Sequence, residues 1–163
     1  MSAEGTVELI VRRPAEGERE VLDEAELDLE QGLVGDRWFA GASAKGGELD
    51  TSAQLTVMGT GALGQIEPDR SRWPLAGDQL YVDLDLSQEA LPAGTRLEVG
   101  SAVIEVSETP HTGCAKFTER FGSEATRLIN SPEGRKLRLR GLNARVVQPG
   151  TVRVGDAIRR SDA

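Results

Sequence analysis

The chain's lone cysteine and lone histidine fall within one short segment, Pro110-His111-Thr112-Gly113-Cys114-Ala115-Lys116. Apolar alternation before it predicts a strand, and the residues after it predict a helix. If Thr112 caps a helix from Gly113 to Phe121, Cys114 sits in the first turn, where free amide N–H groups favour a thiolate. His111 and Lys116 would add positive charge and lower the thiol pKa further. A thiolate is the form needed for sulfur transfer, nucleophilic attack or ligation of a soft metal. The competing reading of Cys114 is a small buried hydrophobe, and that of His111 a hydrogen-bonded loop residue. One cysteine and one histidine are too few for a protein-only zinc site. Any transition metal held through Cys114 must take most of its ligands from a cofactor.

Two further segments carry polar groups suited to an anion. Gly32-Leu33-Val34-Gly35-Asp36-Arg37-Trp38-Phe39 places Asp36 beside Arg37, a pair that could orient each other or grip a phosphate or carboxylate. A plain turn with an ion pair is the alternative. Arg140-Gly141-Leu142-Asn143-Ala144-Arg145 supplies two guanidiniums, which on a strand would point to opposite faces. Gly59-Thr60-Gly61-Ala62-Leu63-Gly64 matches a dinucleotide-binding pattern in spacing, but no βαβ rhythm surrounds it.

The elements that must position these groups are short. Alternation at Val7, Leu9 and Val11, from Val21 through Leu29, at Gln54 to Met58 and at Leu80 to Leu86 predicts strands. Gly100-Ser101 and Pro149-Gly150 each separate two apolar runs and predict hairpins. Helices are predicted over Thr60 to Ile66, after Thr112, after Ser123 and after Ser131-Pro132-Glu133. Many short strands with a few short helices predict a mainly β fold, a barrel with helical decoration, over a single domain of residues 1–163. A two-layer α+β arrangement is the competing expectation.

The net charge of −8 speaks against nucleic acid or an anionic membrane as the main partner. Between residues 111 and 160, however, eleven Lys and Arg stand against four Asp and Glu, which points to a small anionic ligand met locally. A basic face that pairs with acidic neighbours is the plainer alternative. No apolar run approaches the length of a membrane span, and residues 1–5 lack the features of a secretory signal. With one cysteine there is no internal disulfide, and a cytoplasmic location is expected.

Taken in order, six segments resemble the MOSC domain, named for the C-terminal part of molybdenum cofactor sulfurase. They are Gly35-Asp36-Arg37, Gln54 to Met58, Leu91-Pro92-Ala93-Gly94 through Gly100, Pro110 through Lys116, Arg140 through Val146, and Gly150 through Asp156. The resemblance implies a barrel-like β fold and a molybdenum cofactor (molybdopterin). It gives Cys114 the role of molybdenum ligand or persulfide carrier. It also implies reduction of N-hydroxylated compounds with electrons from a redox partner protein, or sulfur received from a cysteine desulfurase. Arg37, Lys116 and Arg140 are then the candidates for the cofactor's anionic end, with His111 nearby and Asp36 holding Arg37. Where many members carry an Arg–Asn pair, this chain has Arg72-Trp73-Pro74-Leu75-Ala76-Gly77-Asp78-Gln79. Pyridoxal phosphate binding, attributed to the family at large, finds no support in these residues. Two alternatives to an enzyme stay open. One is a non-catalytic sulfur carrier; the other is a barrel that has lost the cofactor and binds another small anion or a protein.

Overall fold

The computed structural model describes residues 4–161. Its elements run β1 (Glu4–Arg12), β2 (Glu20–Leu22), β3 (Glu24–Asp28), β4 (Gly32–Leu33), α1 (Trp38–Ala44), β5 (Leu55–Gly59) and α2 (Thr60–Ile66). A 3₁₀ turn (Arg70–Ala76) leads to β6 (Leu80–Asp83), β7 (Arg96–Val99) and β8 (Ala102–Val106). Then come α3 (Ala115–Phe121), α4 (Ser123–Asn130), α5 (Pro132–Leu137), β9 (Leu142–Gln148), β10 (Gly150–Arg153) and β11 (Ala157–Arg160).

Seven strands close into a barrel in the order β1-β6-β5-β9-β8-β7-β11, and β11 pairs back onto β1. Closure removes the open edges that would otherwise recruit another chain. β2 extends the sheet beyond β1, and β10, β3 and β4 form a separate three-stranded sheet. The expected β-barrel with short helices is therefore the observed fold. Inward-facing Val7, Val57, Leu80, Val82, Leu97 and Ile104 are fully buried in the main core. Tyr81 faces the other side of β6 but is equally buried, packed with Met58, Leu63 and Trp73 beneath α2 and the 3₁₀ turn. Among the described residues no helix is long and apolar enough to cross a membrane.

Three local expectations give way to tertiary structure. Val21 to Leu29 is not one strand: β2 pairs with β1 and β3 with β10, and the chain changes sheets at Asp23, whose carbonyl accepts from Val154 N. The strand from Leu80 stops at Asp83, since the Asp85 carboxylate takes the Ser87 N–H at 3.0 Å and turns the chain. Pro149-Gly150 does not close a hairpin. β9 pairs with β8 and β5 whereas β10 crosses to β3, and a Cβ at Gly150 would lie 2.6 Å from Ser101 C and Oγ. The β7–β8 hairpin around Gly100-Ser101 forms as expected.

Gly141, at the entry to β9, has φ near +100°, and a Cβ there would lie 2.2 Å from the Val57 carbonyl oxygen. Gly141→Ala is expected to destabilise the protein by about 2–3 kcal/mol in urea unfolding. A loss under 0.5 kcal/mol, roughly the scale of a neutral surface change, would mean that the turn relaxes freely.

Candidate functional site

Three side chains outside it, Asn143, Asp78 and Asn130, fix the loop that carries Cys114. Asn143 of β9 donates to the carbonyls of Thr109 (3.1 Å) and Pro110 (3.3 Å). His111 Nε2 lies 2.9 Å from Asp78 Oδ1. Asn130, at the end of α4, accepts from Gly113 N at 2.9 Å and donates to Gly113 O at 3.2 Å. The loop is thereby held at both ends and in the middle.

Cys114 is exposed and is the N-cap of α3, with extended φ and ψ of −118° and −179°. The helix begins two residues later than Thr112 capping predicts, so Cys114 caps it rather than lying in its first turn. Its sulfur forms no capping hydrogen bond of full length, but the N–H of Phe117 and then that of Lys116 face it and lower the thiol pKa. Partial burial opposes this, and the Arg140 charge adds to the lowering.

Behind the loop, Asp78 is completely buried. Arg140 Nη1 donates to its Oδ2 at 2.6 Å, and Arg140 Nη2 donates to Ala76 O at 2.7 Å. The Arg140 guanidinium carbon sits 5.0 Å from the Phe117 ring centroid, so α3 covers the pair from above. Tyr81 accepts from Asp78 N and donates to Trp73 O, and burial raises its phenol pKa. Burial alone would raise Asp78, but Arg140 and His111 override it and hold the carboxyl at about 2. Because this folded pKa lies below the unfolded one, the stabilisation is complete above about pH 4. It is lost as pH falls through 2. We expect Asp78→Asn to remove on the order of 2 kcal/mol of this pH-dependent stability, flattening the acid limb of urea unfolding between about pH 4 and 2. Parallel acid limbs for the two proteins would contradict the assignment.

Beside Asp78 lies a cluster of arginines that the sequence did not single out. Four successive carbonyls each receive a different guanidinium: Pro74 O from Arg19 (3.0 Å), Leu75 O from Arg120 (2.9 Å), Ala76 O from Arg140 and Gly77 O from Arg13 (3.1 Å). These contacts bring basic side chains from the β1–β2 loop, from α3 and from the β9 approach to one place. Partial burial, and then the charges of Arg120, Arg13 and Arg37, lower the Arg19 pKa. Arg37 itself is exposed, and its guanidinium makes no hydrogen bond or ion pair among the described residues.

The expected pairing of Asp36 with Arg37 is corrected. Asp36 is buried and takes three bonds from Arg13: N at 2.8 Å, Nε at 3.0 Å and Nη2 at 2.7 Å. It also accepts from Trp38 N (3.1 Å) and Gln79 Nε2 (3.3 Å). Adjacent residues point apart here, so Arg37 turns outward while Asp36 anchors β1 to the Gln79 segment. Lys116 lies outside the cluster as well, exposed, with Nζ 3.6 Å from Glu16. Arg140 precedes β9 rather than lying on it, and Arg145 pairs with Glu105 on the outer wall. Asp78, Arg13, Arg19, Arg120 and Asn143 were missed. A lone acid between Gly77 and the apolar start of β6 was the available signal for Asp78.

Among the described residues no group of three or more His, Cys, Asp or Glu side chains could hold a metal ion.

The MOSC domain model matches residues 64–159. The fold is similar to that of YuaD from Bacillus subtilis, with 20% identity and a TM-score of 0.75 over 100% of this chain and 99% of that one. It is similar also to YiiM from Escherichia coli (21% identity, TM-score 0.64, 100% and 71% covered). YiiM from Geobacillus stearothermophilus gives 14% identity and a TM-score of 0.65, with 97% and 75% covered. No curated protein sequence matches the chain closely enough to count as a relative. The family model covers more than half of the chain, including the loop of Cys114 and the Asp78–Arg140 pair, and the chain belongs to the MOSC domain family.

Proposed function

We propose that the face joining Cys114 to the arginine cluster holds a molybdenum cofactor, with the Cys114 sulfur as the protein's ligand to the metal. The observation that carries this reading is an exposed thiol at the N-terminus of α3, faced by the N–H groups of Phe117 and Lys116 and within reach of the Arg140 charge. The donor chemistry fits: a single soft thiolate, and no protein cage competing for the metal. The free guanidinium of Arg37, with Arg19 and Arg120 beside it, suits the anionic end of the cofactor.

When bound, the cofactor supplies a metal centre able to exchange electrons with a substrate. The protein's own part is to bind and orient. The N–H groups of Phe117 and Lys116 stabilise negative charge on the sulfur, and Arg140 does so at longer range. Asp78 keeps Arg140 in position and, through His111, fixes the loop that presents the sulfur. The activity we assign first is reduction of an N-hydroxylated compound. Two electrons from a separate redox protein and two protons convert the N–OH group to N–H and water.

The exposure of Cys114 also favours a second reading, a sulfur carrier. Its thiolate would attack the outer sulfur of a cysteine desulfurase persulfide. The desulfurase thiolate leaves, and Cys114 keeps the transferred sulfur.

The protein should be expressed in a host that makes molybdenum cofactor, and both molybdenum and pterin measured per chain. Near-stoichiometric amounts of both are expected. Absence of both, with a Cys114 persulfide formed after incubation with a desulfurase and cysteine, would replace the first reading by the second. Absence of all three would overturn both.

A further inference from the structure

We infer that a second anion site lies on the other side of the His111 loop and takes a small tetrahedral oxyanion, phosphate or sulfate in kind. It occupies a cavity of about 180 Å³ between that loop and the turn from α5 to β9. Neither Arg37 nor Cys114 lines this cavity, although Arg140 and His111 do, and the inference does not need the cofactor to be bound.

Three arginines line the cavity: Arg135, Arg138 and Arg140. Arg140 is neutralised by Asp78, although its buried Nε has no hydrogen-bond partner. Arg138 is held in place by its Nη1, which donates to the carbonyls of Leu86 (3.1 Å), Ser87 (3.4 Å) and Leu91 (2.6 Å). These are neutral acceptors, and partial burial lowers the Arg138 pKa with no counter-charge to offset it. Arg135 donates through Nε to Asn130 O at 3.0 Å, and it too has no carboxylate partner among the described residues.

Arg12, Arg96, Arg145, Arg153 and Arg159 pair with carboxylates, whereas Arg135 and Arg138, like Arg19, Arg37 and Arg120, do not among the described residues. Two guanidiniums without carboxylates thus share one cavity with Arg140, whose buried Nε has no partner. A partly desolvated cation without an anion is costly, and an oxyanion bound there would offset that cost. The main-chain N–H groups of His111 and Thr112, which line the opposite wall, also have no acceptor among the described residues. The one acid lining the cavity, Glu108, is exposed and is outnumbered by Arg135 and Arg138.

Size narrows the ligand. The volume is that of roughly six waters, below the usual range for an organic cofactor and ample for an oxyanion with a small substituent. The ion could arrive free or as the terminal phosphate of a small metabolite.

Calorimetric titration of cofactor-free protein with inorganic phosphate, sulfate and glycerol phosphate tests the assignment. In an Arg37→Gln background, which removes the free guanidinium proposed for the cofactor's anionic end, saturable one-to-one binding is expected, and adding Arg135→Gln weakens it about tenfold. Arg138→Lys, which keeps the charge but not the fork, should also weaken it; if that variant does not fold, Arg135→Gln decides. Tighter glycerol phosphate would identify a terminal phosphate as the ligand, and tighter inorganic ion a free one. No saturable binding in that background, or binding that Arg135→Gln leaves unchanged, would overturn the site while leaving the molybdenum reading standing.

Discussion

Replacing Arg140 by methionine is expected to destabilise the protein by about 3–5 kcal/mol, the usual cost of leaving a buried charge without its partner. Asp78 is fully buried, and after the change only His111 would remain to compensate it. The Ala76 carbonyl would lose its donor and the Phe117 ring its stacked cation, so α3 would also lose packing. Urea unfolding at neutral pH reads the loss. In the methionine background Asp78→Asn should cost about 2 kcal/mol less than it does in the native protein, since the carboxylate's main partner has already gone. Equal costs in the two backgrounds, or a loss below about 1 kcal/mol for Arg140→Met, would show that the pair does not hold the site together.

Cys114→Ala should leave stability unchanged to within about 0.5 kcal/mol, because the side chain is exposed. Molybdenum retention should nonetheless fall by at least about a hundredfold, given that losing an outer partner of a metal ligand already costs tenfold to a hundredfold. Cys114→Ser keeps the size but replaces a soft thiolate by a hard hydroxyl, and it should fail nearly as badly. Metal content after gel filtration separates the outcomes. Full retention in the alanine variant would remove Cys114 from the metal site altogether. Urea unfolding of both variants, expected to match that of the native protein, separates a loss of metal from misfolding.

The barrel was legible because its inward faces alternate: Leu80 and Val82, Leu97 and Val99, and Ile104 and Val106 declare strands without reference to the rest of the chain. What escaped was long range. Pro149-Gly150 has the local chemistry of a hairpin turn, yet the partner of β10 is β3, which no local pattern near residue 150 reveals. Ser131 was legible as a cap, and it does accept from Gly134 N at 3.0 Å. Cys114 and His111 were legible by type, as the sole members of their kind. Asp36 was legible as polar and important, but its partner was misassigned to the adjacent Arg37; the true donor, Arg13, is distant in sequence and adjacent only across the fold. The arginines on carbonyls 74–77 come from three separate regions, so no spacing rule could have gathered them. Asp78 stood where the family resemblance led one to look for an asparagine, and its burial between Arg140 and His111 exists only after closure of the barrel.

The account turns on a reachable sulfur that is ionised more readily than an ordinary thiol. The rate of Cys114 alkylation by iodoacetamide, followed against pH in native buffer, measures both properties together. An inflection clearly below the ordinary thiol value of about 8.5 is expected, with complete modification in the folded state. An inflection at or above that value, or a thiol that reacts only after denaturant is added, would contradict it.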